Sequence, residues 1–322
     1  MKYRKLGNTD LVVSEVSLGC SGFWGNRRFP EQYASAIIYE AFERGVNFFD
    51  TGHNYCNYNA EPRLGRAIKQ LLSNCDRSQL VISSKAGTVD RSLLHMTKGN
   101  TGKITPDDME KFCSQSIKNL NCDYLDIFQL RGLGEATEPI LERLVSMKKK
   151  GMFRYLGVNT HRASEMCTVA MHPEFFDMVL VDYNVLQLDR KPTIDMLNKA
   201  GIGIVAGTVL CQGHILNGKI GSIRSISDLW YLARAVLNPA SRNLGKNSKH
   251  MRETLASIPE CSSAQAAFQF ILEDKAIASC TFGTTRISNL INVIESSEKE
   301  LSEKSRLAIR NSFNLLHSKI SL

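Results

Sequence analysis

The chain lacks the features that would put it in a membrane, outside the cell or on nucleic acid. No apolar run approaches membrane-spanning length. The opening Met1-Lys2-Tyr3-Arg4-Lys5 has no apolar stretch of the kind a secretory signal needs. The nine cysteines are odd in number and contain no Cys-x-x-Cys pair, so reduced thiols in a cytoplasm are expected. No stripe of basic and aromatic residues suggests a nucleic-acid partner. No His, Cys and Asp cluster has metal-ligand spacing, and no Ser-centred nucleophile elbow appears. Metal-dependent and serine-nucleophile chemistries are therefore not expected.

What is present is an ordinary globular composition. The 322 residues are 43% hydrophobic and 22% charged, enough to bury a large core. The formal charge of +8 suits an anionic ligand, although much of it sits on solvated helical stretches such as 147–150. Short apolar runs alternate with amphipathic stretches. Strands are expected at 15–19, 46–50, 80–85, 124–131, 153–159, 178–182, 203–208 and 276–282. Helices are expected at 30–44, 61–72, 106–120, 137–150, 163–171, 191–200, 263–273 and 287–297. Thr105-Pro106-Asp107-Asp108 is a helix start: an N-cap, a proline in first position and acids against the dipole. Gly45, Gly151 and Gly201 each close a helical pattern and precede a strand.

Eight strand-helix units without a linker predict one (β/α)₈ (TIM) barrel domain over 1–322. The opening 3–13 reads as a β-hairpin plugging the barrel floor. After the seventh strand the rhythm breaks between 210 and 262, which reads as a long functional loop or lid.

Residues at strand C-termini share the barrel mouth. The run Asn47-Phe48-Phe49-Asp50-Thr51-Gly52-His53-Asn54-Tyr55 is a buried strand releasing an Asp and a Tyr into a loop, and the third strand ends in Lys85. Together these three make a proton donor: the Lys cation stabilises tyrosinate, and Asp50 orients and balances Lys85. Arg131 and Asn159 end strands four and five at the same mouth. His53, in the loop before Tyr55, and His161, just after strand five, are candidates for touching substrate; Trp24 and Cys20 follow strand one, Trp24 as a pocket wall and Cys20 as buried packing.

The runs 1–9, 13–19, Gly45-Val46-Asn47-Phe48-Phe49-Asp50-Thr51, Glu61-Pro62-Arg63-Leu64-Gly65 and Gly157-Val158 resemble the aldo-keto reductase family along nearly the whole chain. The resemblance implies a cytoplasmic NADPH-dependent reductase of aldehydes or ketones, with a small carbonyl compound as its partner and a biosynthetic setting. It implies Tyr55 as acid-base residue, Lys85 as its lysine and Asp50 as the lysine's partner. The family's fourth catalytic residue, usually a histidine ending strand four, is Arg131 here. Arginine only donates and stays charged, so a polar or anionic substrate is expected. At the nicotinamide end the resemblance implies contacts from Asn159-Thr160 and from Gly207, Thr208 and Leu210. The family's strand-six glutamine falls on Leu180, and its stacking aromatic falls on Gly207. At the phosphate end it implies Gly283, Thr284 and Thr285 around phosphate, Arg286 on the 2′-phosphate of NADP, Asn289 at adenine and Lys219 in a strap over the pyrophosphate. Two other expectations follow from the departures: an NADP-binding sensor with weak catalysis, or a lyase or epimerase that moves protons without net redox.

Overall fold

The computed structural model describes residues 1–87, 104–218, 226–246 and 248–318. The strands are β1 (Tyr3–Lys5), β2 (Val12–Ser14), β3 (Val16–Gly19), β4 (Phe48–Asp50), β5 (Val81–Lys85), β6 (Leu125–Leu130), β7 (Phe153–Thr160), β8 (Met178–Asp182), β9 (Gly203–Gly207) and β10 (Ile277–Phe282). β3 to β10 are parallel and close into a barrel in chain order, with β10 pairing β3 and β9.

Between and after them run α1 (Glu31–Glu43), α2 (Ala60–Leu71), α3 (Pro106–Leu120), α4 (Glu138–Lys149), α5 (Ala163–Met171), α6 (Lys191–Lys199), α7 (Ile226–Leu237), α8 (Pro239–Lys246), α9 (Ser248–Ala256), α10 (Ser263–Leu272), α11 (Ile287–Ile294) and α12 (Glu303–Ser318). The cap expected at α3 is formed: Thr105 accepts from the Asp108 backbone N–H, and the Asp108 carboxylate reaches back to Thr105. Gly45, Gly151 and Gly201 take φ of +87°, +75° and +77°, which glycine adopts without steric cost.

The hairpin closes one end. β1 and β2 pair antiparallel, Tyr3 opposite Ser14. Leu6, Leu11 and Val13 pack with Phe48, Val81, Ile127, Met178, Leu180, Val205 and Ala278 into a dry inner core. Phe48, Val81 and Met178 open their strands, so the plug lies at the amino ends. Strand side chains alternate between inside and outside. Two residues beyond Phe48, Val81, Ile127, Leu180 and Val205, the residues Asp50, Ser83, Gln129, Asp182 and Gly207 therefore face the open carboxyl end.

The stretch read from sequence as one long loop after β9 departs from that expectation. Its described residues include a 3₁₀ turn over Cys211–Gly213 and the helices α7, α8 and α9. Met251 and Leu255, one turn apart, are buried and give α9 a packing face. The expected last helix also ends earlier, at Ile294, and passes into a 3₁₀ turn over Glu295–Glu298 before α12.

Candidate active site

The site forms around a buried ion pair. Lys85 ends β5 with 1% exposure and Asp50 ends β4 with 6%. The Lys85 ammonium donates to Asp50 Oδ2 and, at 2.9 Å, to the Thr51 carbonyl. An unpaired charge here would be costly, and each group neutralises the other. The other Asp50 oxygen accepts from Gln129 Nε2 at 2.8 Å, and the same amide reaches Ser83 Oγ. Gln129 escaped the sequence reading. Its signal was the strand alternation: it stands two residues after Ile127 and two before Arg131.

Tyr55 lies half-buried above this pair, with Lys85 Nζ 5.4 Å from the centre of its ring. The Arg131 guanidinium sits 4.9 Å from the same centre. Arg131 is tied down by neutral acceptors: Nε donates to the Ala86 carbonyl at 2.7 Å and Nη2 to Asn54 Oδ1 at 2.6 Å. Behind it stands Glu135, whose carboxyl burial pushes up and contact with Arg131 pulls down only in part, so it is raised overall. Gly52 makes room for this stack. A Cβ there would lie 3.0 Å from Arg131 Nη2 and 3.1 Å from the Tyr55 ring. After Tyr55 the chain turns through three left-handed residues, Cys56, Asn57 and Tyr58, with φ of +56°, +54° and +61°. None is glycine, and such a conformation costs about 1–2 kcal/mol per residue.

His53 packs behind the mouth. Its ring centre lies 5.2 Å from that of Phe112, tilted by 45°, and 5.5 Å from that of Tyr58, edge-on, with Nδ1 3.6 Å from Glu61 Oε2. Glu61 is wholly buried. Burial works against its charge, but His53 and the donors Ser84 and Asn119 hold its carboxyl below the ordinary value. Trp24 is also in the core: it is 2% exposed and its indole N–H donates to the Ala34 carbonyl at 3.1 Å, which leaves little ring to line a pocket. His161 stands exposed at the rim with Nδ1 2.7 Å from Asp182 Oδ2; that bond raises its pKa against the opposing effect of burial.

Across the mouth, Asn159 Oδ1 is buried and has no partner among the described residues. The Thr160 hydroxyl is engaged by Glu165. Thr208, at φ +51°, and Asn184 approach at 3.4 Å, and Leu210 caps the following 3₁₀ turn. Gly207 sits under Leu180, whose Cδ2 would be 3.2 Å from a Cβ there.

Gly283 follows β10, and a Cβ on it would come 2.9 Å from the Gly19 carbonyl. The Thr284 hydroxyl is occupied by its own turn, bonding the Arg286 backbone. Thr285, Arg286 and Asn289 open α11. Arg286, expected on the 2′-phosphate, pairs through Nη2 with Asp228 of α7 at 2.9 and 3.1 Å. Lys219 lies outside the described residues.

The aldo/keto reductase family model matches residues 15–312. The chain is 28% identical over 310 residues to a probable aldo-keto reductase 1 of Glycine max, covering 93% of this chain and 85% of that protein. It is 27% identical over 324 residues to the L-glyceraldehyde 3-phosphate reductase of Escherichia coli (strain K12), covering 94% and 91%. The holo form of an aldo-keto reductase from Bacillus halodurans superposes with a TM-score of 0.73 at 20% identity over 97% of this chain and 96% of that one, a likeness of fold. With the closed eight-stranded barrel and a family match over nearly its whole length, the chain belongs to the aldo/keto reductase family of oxidoreductases.

Proposed function

We propose that the protein is an NADPH-dependent reductase of an aldehyde or ketone carrying a polar or anionic group, with Tyr55 as the proton donor. The observation that carries this reading is the flanking of the Tyr55 ring by two cations, Lys85 at 5.4 Å and Arg131 at 4.9 Å. Both stabilise the negative charge left on the phenolic oxygen as its proton passes to the substrate carbonyl. Asp50 holds Lys85 in place and Gln129 holds Asp50. The Arg131 fork also suits a carboxylate or phosphate on the substrate.

The residues present fit the dinucleotide. The orphan Asn159 Oδ1 offers an acceptor to a carboxamide N–H. Gly283 lets β10 close against the Gly19 carbonyl as it leads into α11, whose N-terminal amides, with Thr285 beside them, suit a phosphate. Arg286 would take the 2′-phosphate, Asn289 the adenine, and Thr208 and Leu210 the opposite wall. When bound, the nicotinamide supplies the hydride to the carbonyl carbon.

The test is titration with NADPH and NADH followed by a panel of aldehydes and keto acids, on wild type and Tyr55→Phe. Turnover should fall on the order of 10²–10⁴-fold in the variant while NADPH affinity holds. Full activity in Tyr55→Phe rejects the assignment. NADPH binding without turnover by the wild type moves the protein to a sensor; no binding of either nucleotide leaves redox-neutral chemistry on the same fold.

A further inference from the structure

A second cleft opens on the flank of the barrel, with a volume of about 780 Å³. It is bordered by Lys191 at the start of α6, by the end of α10 and by α12, and shares no residue with the candidate active site. That volume falls within the range of small-molecule sites, about 300–1,000 Å³.

Its lining carries charges of both signs. Nearly all the acids are already paired: Glu15 with Arg4, Asp274 with Lys191 at 3.1 Å, and Glu273 and Glu303 with Arg306 at 2.6 and 3.2 Å. The remaining charged lining is Lys2, Lys275, Lys299 and Arg310 against Glu300. None of those four cations has a carboxylate within 4.0 Å among the described residues. A concave surface with one sign in excess concentrates ligands of the other.

The cleft also has an apolar side and a polar floor. Phe270 and Phe313 supply ring surface. Tyr183 is 4% exposed, and its hydroxyl makes no hydrogen bond among the described residues. Burial, then Asp274 and the neighbouring Asp195 and Asp189, push its phenol far up, so it stays a neutral donor. Tyr183 follows Asp182 directly, and its backbone N–H donates to the Gly207 carbonyl at 3.2 Å. A ligand here would touch the strand end that carries the His161 partner.

We infer that this flank cleft is a binding site for a small organic anion: an aryl or other apolar body against Phe270 and Phe313, with a carboxylate or phosphate among Lys299, Arg310 and Lys275. The inference stands apart from the reductase reading, since it uses none of that site's residues.

The experiment is isothermal titration of the full chain with phenyl phosphate, phenylacetate and the uncharged 2-phenylethanol. Wild type, Lys299→Glu/Arg310→Glu and Arg131→Met are compared, with circular dichroism confirming the fold of each. Either anion should bind wild type and Arg131→Met alike and should weaken at least about tenfold in the double charge reversal. The stronger of the two identifies a phosphorylated or a carboxylic ligand. The inference is overturned if neither anion binds, if 2-phenylethanol binds as well as the anions, or if binding disappears in Arg131→Met and survives the charge reversal.

Discussion

Arg131 stacks its guanidinium on the face of Tyr55 while spending its hydrogen bonds on the Ala86 carbonyl and Asn54. Both acceptors are neutral, and Asp50 is already engaged by Lys85 and Gln129. No carboxylate among the described residues forms an ion pair with the guanidinium, so its charge, offset only by Glu135 behind it, is left for whatever enters the mouth. Arg131→His should raise KM for an anionic carbonyl substrate about tenfold, roughly 1.4 kcal/mol, and leave KM for a matched neutral one nearly unchanged. Arg131→Lys should rescue only in part, because lysine lacks the planar fork. Steady-state kinetics on the charged and neutral pair decides it. A gain on both classes in Arg131→His would mean that the arginine only obstructs an ordinary reductase.

Gly65 lets two helices touch. A Cβ there would stand 2.0 Å from the Asn119 carbonyl and 2.8 Å from Leu120 Cα, both backbone atoms that cannot turn aside. Gly65→Ala should therefore destabilise by about 1–3 kcal/mol through overpacking between α2 and α3, despite alanine's better helix propensity. Urea unfolding at unchanged m-value measures it. An unchanged midpoint would mean that the helices separate at little cost.

The barrel was legible because its signals are local. Each strand is a short apolar run, and the acid or base that ends it marks the mouth: Asp50, Lys85 and Arg131 needed no tertiary information. What was hidden depends on packing between distant segments. Gln129 reads as one polar residue in a buried strand until the alternation from Ile127 is followed. Nothing in Cys56-Asn57-Tyr58 announces a left-handed turn, since none of the three is glycine. Trp24 reads as a pocket wall after strand one, yet it is packed in the core with its indole N–H on the Ala34 carbonyl. Nor does Asp228 announce a partner 58 residues away; α7 is brought there by contacts such as Trp230 against Phe23, with ring centres 6.3 Å apart.

His161 and Asp182 give the rim a pH dependence with a definite sign. The bond to Asp182 raises His161 above its ordinary 6.5. Its stabilisation is thus complete below that value and disappears as pH rises through the raised folded value. Burial disfavours charge on Asp182, yet His161 and Thr208 hold its carboxyl below the ordinary 3.8, so that contribution is lost only as pH falls further. Removing the ring in His161→Asn should lower Tm most between those two ordinary values, and the gap to wild type should close in alkaline solution. Melting curves across the pH series check this; a gap that widens with pH would reverse the assignment.

Arg286 and Asp228 link the helical insertion to the phosphate end. Arg286 is 41% exposed on its side chain and Asp228 only 5%, so the arginine is the partner with freedom to leave. Solvent screens the arginine's side of the pair, while its leaving takes a cation from the buried Asp228 carboxylate, a cost that a phosphate must exceed. A 2′-phosphate would compete with the Asp228 carboxylate for the same guanidinium. Arg286→Ala should then weaken NADPH binding by about 1–3 kcal/mol, the range for charge-assisted hydrogen bonds, and leave NADH binding nearly as it was. Asp228→Asn should act in the opposite direction, tightening NADPH and not NADH, because the arginine no longer has to exchange one anion for another. Fluorescence titrations of both nucleotides on both variants separate the cases. If Arg286→Ala weakens NADH as much as NADPH, the arginine supports the fold through Asp228 and has no part in reading the phosphate.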